Sequence, residues 1–217
     1  MRGLIIKDFL LMKNQLGIFV FYIFLSLGFL LVDFNPIFVI NYTTLIFCIF
    51  TISTISYDEF DNGYAFLFTL PITRKQYTAE KYVFSILLGG LAWLVVTIIS
   101  VIVNVLRGRA DTWEIAAMAL LFLFLAFLFM SIVIPLQLKF GQEKGKIALV
   151  LVVGVIFAAA FIGVKALKIF QVDLSAAAER LNSLHLGPVI AILFLASLTA
   201  MIVSYLISVR IMRKKQF

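Results

Sequence analysis

The stretch Leu16–Tyr57, LGIFVFYIFLSLGFLLVDFNPIFVINYTTLIFCIFTISTISY, decides the fold. One side chain in it, Asp33, is charged. Two uncharged runs, Leu16–Val32 and Pro36–Tyr57, flank that residue. A bilayer core of about 30 Å is crossed by ~20 apolar residues rising 1.5 Å each. Neither run alternates as a strand would, and a segment alone in lipid must satisfy its own backbone, so both read as helices. Between them lies only Asp33-Phe34-Asn35. Pro36 suits the first turn of a helix and Asn35 suits its N-cap, so the two runs form an antiparallel hairpin.

Outward from this hairpin the same reading yields four more runs free of Asp, Glu, Lys and Arg. They are Tyr82–Leu106, Ile115–Leu136, Ile147–Val164 and Leu186–Val209. The runs at 16–32 and 147–164 are short, so their ends must snorkel or thin the bilayer. Composition agrees with six spans. Apolar and aromatic residues make up 64% of the 217-residue chain and charged ones 13%. A soluble domain has roughly 45–50% and ~25%. Twenty-three Phe cannot be hidden behind so few charges, which excludes a soluble, disordered or disulfide-built chain. The lone cysteine, Cys48, lies in an apolar run and reads as a small buried hydrophobe. The expected fold is all-α, a single membrane domain over 1–217, with six transmembrane helices.

The formal net charge is +7. Counted by connection, alternate sides of the six spans hold 13 and 5 Lys and Arg, while acids divide six and five. The positive-inside rule then puts both termini in the cytoplasm. The excess positive charge faces anionic lipid, and no nucleic-acid partner is expected. Residues 2–14 read as a helix lying in the inner interface, with Lys7, Asp8, Asn14 and Gln15 on one side and Leu4, Ile5, Phe9 and Met12 elsewhere. No small-x-small pattern follows to suggest a cleavable signal.

Chemistry-bearing motifs are few. Gly141-Gln142-Glu143-Lys144-Gly145-Lys146 has the wrong spacing for a phosphate loop and no Ser or Thr after the lysine. His185 is the sole histidine and has no partner cluster. No carboxylate lies within a span, where an ion-coupled carrier would usually need one. The chain is therefore expected to have no catalytic residue, no metal, no cofactor and no energy source of its own. Uncharged polar residues do lie in the spans, including Asn41, Thr43, Thr44, Ser53, Thr54, Asn104, Ser131, Ser197, Thr199 and Ser204. They either line a pathway or hydrogen-bond helices together, at about 0.6–2 kcal/mol each. The pairs Gly154/Ala158 and Ala159/Gly163, four apart, permit close helix contact within the subunit or in a dimer.

The most informative connection is the longest one on the positive side, Tyr57–Tyr82, YDEFDNGYAFLFTLPITRKQYTAEKY. Ser56 and Glu59 stand as a capping box for a short helix over about 58–68. Leu70-Pro71 ends it, since residues before proline avoid the helical region. Thr73-Arg74-Lys75-Gln76 is a second capping box, whose helix passes Tyr77 and Lys81 directly into the third span. The short helix would present Phe60, Tyr64, Phe66 and Phe68 on the cytoplasmic side, either to the lipid interface or to a soluble partner. Arg74 would hold a carboxylate or lipid phosphate, or simply be an inner-side charge.

This loop resembles that of bacterial ABC-2 type permeases, the membrane subunits of ATP-driven exporters. The resemblance rests on Tyr57-Asp58-Glu59, on Gly63, on Leu70-Pro71-Ile72-Thr73-Arg74 and on Lys81-Tyr82. It extends to the N-terminal helix around Lys7-Asp8-Phe9, to the six spans, and to the Pro135…Phe140-Gly141 exit from the fourth. The subgroup it suggests is the two-subunit peptide exporters, including those for phenol-soluble modulins. The resemblance implies a homo- or heterodimer of permeases in a bacterial cell membrane, each bound by a separate ATPase subunit that carries ATP and Mg. The loop would be the coupling helix, with Asp58, Glu59, Gly63, Phe66, Leu70, Pro71 and Arg74 as carried-over positions and Lys75, Tyr77 and Lys81 completing it. The family's helical outer loop would correspond to 174–184, where Leu174, Ala177, Ala178, Leu181 and Leu184 make one apolar face. Amphipathic peptides or hydrophobic compounds are the expected cargo. A competing reading is the substrate-capture subunit of an ATP-driven vitamin importer, which would need a small-residue stripe on the first span. An intramembrane hydrolase would need paired catalytic groups at membrane depth, and none stands out.

Overall fold

The computed structural model describes residues 2–60, 63–109, 112–169 and 186–215, with the backbone alone over 155–169 apart from the helix it forms. Every element among these residues is an α-helix. In chain order they are α1 Arg2–Asn14, α2 Leu16–Leu31, α3 Pro36–Glu59, α4 Gly63–Leu67, α5 Arg74–Leu106, α6 Thr112–Ile169 and α7 Leu186–Lys214.

Among the described residues four helical stretches are long and apolar enough to cross a membrane: α3, α5, the first arm of α6 and α7. A fifth is present if α1 and α2, bent by 70° to one another, are taken as one. Six are not reached among the described residues for two reasons. By itself α2 has 16 residues, about 24 Å, which is less than a bilayer core. The expected fifth run, 147–164, is helical within the second arm of α6, but many of its side chains lie outside the described residues. So does the expected outer helix at 174–184, with His185.

The α2–α3 hairpin forms as its sequence dictates. The Ile37 amide donates to Asn35 Oδ1 at 2.9 Å, and Pro36 occupies the first helical position. Asp33 adopts φ 67°, a conformation Asp tolerates better than most side chains. At the other end of the bundle, α6 is expected to stop near Leu136. It continues through Pro135 and breaks only at Gly141, whose φ of 75° and ψ of −171° suit glycine alone. A Cβ there would stand 2.6 Å from Glu59 Oε1, so the break also lets the chain pass α3 closely.

The centre of the molecule is α3, packed on α5 and α6; α6 packs along α7, α7 touches α5, α2 lies on α3 and α1 lies on α5. Large side chains cover the outside: Phe24 is 75% exposed and Leu106 80%. Polar side chains are turned inward instead. Ser26 meets Thr43 at 2.7 Å, Tyr82 meets Ser204 at 2.5 Å and Ser208 at 2.8 Å, and Ser204 donates to the Ser131 carbonyl. An apolar exterior over a hydrogen-bonded interior is the arrangement lipid requires, because helices in lipid gain nothing from burying hydrocarbon and something from packing and interhelical bonds.

Candidate functional site

The bundle has two charged ends. At one, Asp33 in the α2–α3 turn binds Arg107 and Arg109 after α5, each at 2.7 Å. The Arg109 hydrogen bond, and then the charges of Arg109 and Arg107, hold the Asp33 carboxyl below the usual carboxylate range. This end joins two turns that alternating spans must place on one side. The opposite end holds the Tyr57–Tyr82 connection, and its interior is unlike any other part of the molecule.

There α3 runs on to Glu59 rather than starting a new helix at Asp58. The expected Ser56/Glu59 capping box is absent, because the Ser56 hydroxyl bonds back to the Ile52 carbonyl at 3.0 Å within the continuing helix. The short helix is α4, five residues from Gly63 to Leu67. Gly63 is needed for a close approach: a Cβ there would lie 2.7 Å from the Asp58 carbonyl oxygen. The second capping box does form. Thr73 Oγ1 accepts from the Gln76 amide at 3.2 Å, and Gln76 Oε1 accepts from the Thr73 amide at 3.0 Å. From that cap α5 runs 33 residues, about 50 Å, so its charged start precedes the apolar run that begins at Tyr82.

Several expected docking residues are inside. Lys81 is fully buried, 2.5 Å from Asp8 of α1, 2.8 Å from Asp58 of α3 and 3.1 Å from the Thr54 hydroxyl. Lys7 bonds the same Asp58. The Tyr77 hydroxyl, also buried, donates to Asp58 at 3.1 Å. Tyr64 of α4 is buried, not presented, and its ring stands edge-on to Tyr77 at 5.7 Å. Phe68 is half-buried, while Phe60 and Phe66 are exposed, Phe66 by 73%. Leu70, Pro71 and Lys75 are exposed as well.

The electrostatics follow from this crowding. Burial pushes the Tyr64 phenol up, and Glu59 and Asp58 add to it. Burial opposes charge on Lys81, but Asp58, Glu80 and Asp8 outweigh it and hold the ammonium on. Burial likewise opposes charge on Asp8, and Lys81 and Lys7 overcome it, leaving the carboxyl below its ordinary range. Buried ions persist only when paired, and here the pairing ties α1, α3 and α5 together. It also departs from the expected placement of α1, which set Asp8 and Leu4 on different sides: both face inward, while Ile6, Phe9 and Leu10 are exposed.

Arg74 reaches the end of α7 through its Nη1. That nitrogen donates to the Met212 and Arg213 carbonyls, at 2.9 and 2.8 Å, at the end of α7. Lys215 binds Glu59 at 3.1 Å and the Leu138 carbonyl at 3.2 Å, drawing α7 onto α3 and α6. A cation beside unpaired C-terminal carbonyls is favourable wherever a helix ends. Sequence reasoning missed Asp8, Glu80 and Lys215, because a charge near a span end reads first as a solvated one.

The other expected residues sit apart. Thr44 bonds the Ile40 carbonyl of its own helix at 2.7 Å, and Asn104 is buried at the end of α5 beside Arg109. Asn41 is half-buried. Ser53 lines a cavity of about 650 Å³ between α3 and α6, with Ser56, Tyr57 and Gln137 and an apolar remainder that includes Phe129 and Val133. Nothing lies within 4 Å of where a Gly154 Cβ would stand, and the side-chain surroundings of Ala158 and Gly163 fall outside the described residues.

Comparison with known proteins gives one family match, to the ABC-2 family transporter proteins, over residues 3–213. No curated protein and no solved structure matches the chain. The match takes in the described helices, the end that holds the buried charged cluster and the Tyr57–Tyr82 connection alike. With its several apolar spans, the chain belongs to the ABC-2 transporter family and is a multi-pass membrane permease subunit of an ABC transporter.

Proposed function

We propose that this permease is an exporter subunit of a bacterial cell membrane, working as a dimer and driven by a separate ATPase that docks on the Tyr57–Tyr82 connection. The chain itself binds no nucleotide in this reading; ATP and Mg belong to the partner. The observation that carries it is the exposure of Phe66 and Leu70, by 73% and 44%, on a connection otherwise tied into the protein. Exposed aromatic and aliphatic anchors within a charged surround suit a protein partner. Their support is stiff, since α4 packs on α3 and the Thr73 cap leads without interruption into α5. A push on α4 would therefore tilt α5 as a rigid body. Asp58, Tyr77 and Lys81 would pass on that push from inside, while Lys75 and Pro71 would lie against the partner.

In this proposal the chain crosses six times, with 147–164 as the fifth crossing, α1 in the inner interface and both termini cytoplasmic. Cargo would be an amphipathic peptide or a hydrophobic compound. The cavity between α3 and α6 supports that class, because Ser53, Ser56, Tyr57 and Gln137 give it one polar, uncharged wall among apolar ones.

The test is Phe66→Asp with Leu70→Asp in the reconstituted permease–ATPase complex. Loss of such anchors costs about 2 kcal/mol or more, so ATPase binding should weaken on the order of thirtyfold and export should fall with it. Export at the wild-type rate from the double variant overturns the assignment.

A further inference from the structure

A second cavity, of about 260 Å³, lies where α2, α3 and α5 face one another beneath α1. It exists because neighbours pair off: α2 rests on α3 while α1 rests on α5, and a space is left between α2 and α5. Buried side chains make its floor, among them Ser26 of α2 and Ala92 of α5. Exposed Leu27 and Leu91 make its lips, so it opens sideways toward lipid. The polar groups on the floor are already paired. The Ser26 and Thr43 hydroxyls bond each other at 2.7 Å and reach the Tyr22 and Val39 carbonyls of their own helices at 2.8 and 2.9 Å. A bound water needs roughly two to four polar partners, and this floor has none to spare. Hydrocarbon is what suits the space, and its length selects which. From Leu88 to Ile99 the lining runs about 16 Å along α5, roughly half of a ~30 Å bilayer core. Half a core is the depth of one leaflet, the reach of one acyl chain.

The helix α1 supplies the other end of the site. It bends 70° from α2 and carries Arg2, Lys7 and Lys13, so it turns along the edge of the hydrocarbon. Phe9 and Met12 roof the cavity from there. Lys13 stands four residues on from Phe9, hence on the same face of α1, and is exposed. The acid of this helix, Asp8, is turned away into the buried cluster with Lys81, so the charge at the mouth is positive. We propose that this cavity binds one acyl chain of an anionic phospholipid, from the leaflet that α1 borders, with the headgroup phosphate against Lys13. The chain fills the gap between α2 and α5 and packs them through itself. It differs from the lipid around the bundle. Annular chains lie on open faces such as those of Phe24 and Leu31, whereas this one has walls from three helices and a roof from a fourth.

The site is independent of the exporter reading, and its test needs no ATPase. The full chain is reconstituted in vesicles of equal phosphatidylglycerol and phosphatidylcholine, then extracted and washed in mild detergent. Native mass spectrometry should find one phosphatidylglycerol retained per chain. Ala92→Trp sets an indole on the floor and should abolish retention. Leu27→Trp, at the lip where the fold accepts a larger side chain more readily, should do the same. Leu31→Trp, on the exposed face outside the cavity, should keep the lipid. Lys13→Gln should lower the preference for phosphatidylglycerol over phosphatidylcholine about fivefold, the worth of one lysine near an anionic headgroup. A wild-type chain with no retained lipid, equal retention in the Leu27→Trp and Leu31→Trp proteins, or an unchanged lipid preference in Lys13→Gln overturns the proposal.

Discussion

Lys81 shows how one side chain organises an end of this protein. Its position, just before the apolar run of α5, puts it in the expected coupling connection. The structure turns it inward to meet Asp8 and Asp58 at 2.5 and 2.8 Å. Removing one partner of a buried ion pair strands the others, at about 3–5 kcal/mol. Lys81→Met should therefore destabilise the protein by that amount, more than any surface lysine change. The single cysteine offers a reporter, since Cys48 is buried and its thiol is labelled only when the bundle opens. Thermal unfolding followed by Cys48 labelling in detergent should show the loss, and a variant as stable as wild type would mean that the buried cluster does not hold α1, α3 and α5 together.

At the scale of elements, the Thr73 cap fixes where α5 begins and hence how the Tyr57–Tyr82 connection is held. Both reciprocal bonds of the capping box are made. Thr73→Ala removes the side-chain acceptor and should cost about 1 kcal/mol, with fraying of the first turn near Arg74. Because Arg74 reaches the Met212 and Arg213 carbonyls from that turn, amide exchange should quicken at the end of α7 as well as at Gln76. Exchange confined to residues near 73–76 would show that the two helix ends are not linked. Helix α3 shows why the expected Ser56 cap failed. A serine followed three residues on by glutamate fits a helix start, but it also fits a helix interior when the hydroxyl has a carbonyl four residues back. Local sequence cannot choose between these, and here the packing of α3 against α5 and α6 prolongs the helix.

Across the whole molecule, ion pairs at both ends fasten segments remote in sequence. Asp33 joins the α2–α3 turn to the end of α5, and Lys215 joins α7 to α3 and α6. The Asp33 pairs are exposed, so their worth is small and screened by salt. Their pH dependence has a definite sign. Asp33 is held below its ordinary 3.8, so its contribution is present above that pH and is lost as the solution is acidified through the lower, folded value. Unfolding of the reconstituted wild-type protein should therefore become easier below pH 3.8 by an increment that Asp33→Asn lacks. Identical acid profiles for the two proteins would remove Asp33 from the account.

What the amino-acid order settles by itself is the solvent and the helices. Runs of uncharged residues too long and too apolar for water dictate α-helices in lipid, and Asn35-Pro36 and Thr73…Gln76 mark two helix starts because a cap is made by neighbours in the chain. The outer surface was legible for the same reason, as was the burial of Cys48. The buried charged cluster was not. Asp8, Asp58, Glu80 and Lys81 each stand near a polar boundary, where a solvated charge is the ordinary outcome. Only the crossing of α1, α3 and α5 puts them within a few ångströms of one another and away from water. Burial makes a charge depend on its partners, and those partners are brought together by the tertiary fold.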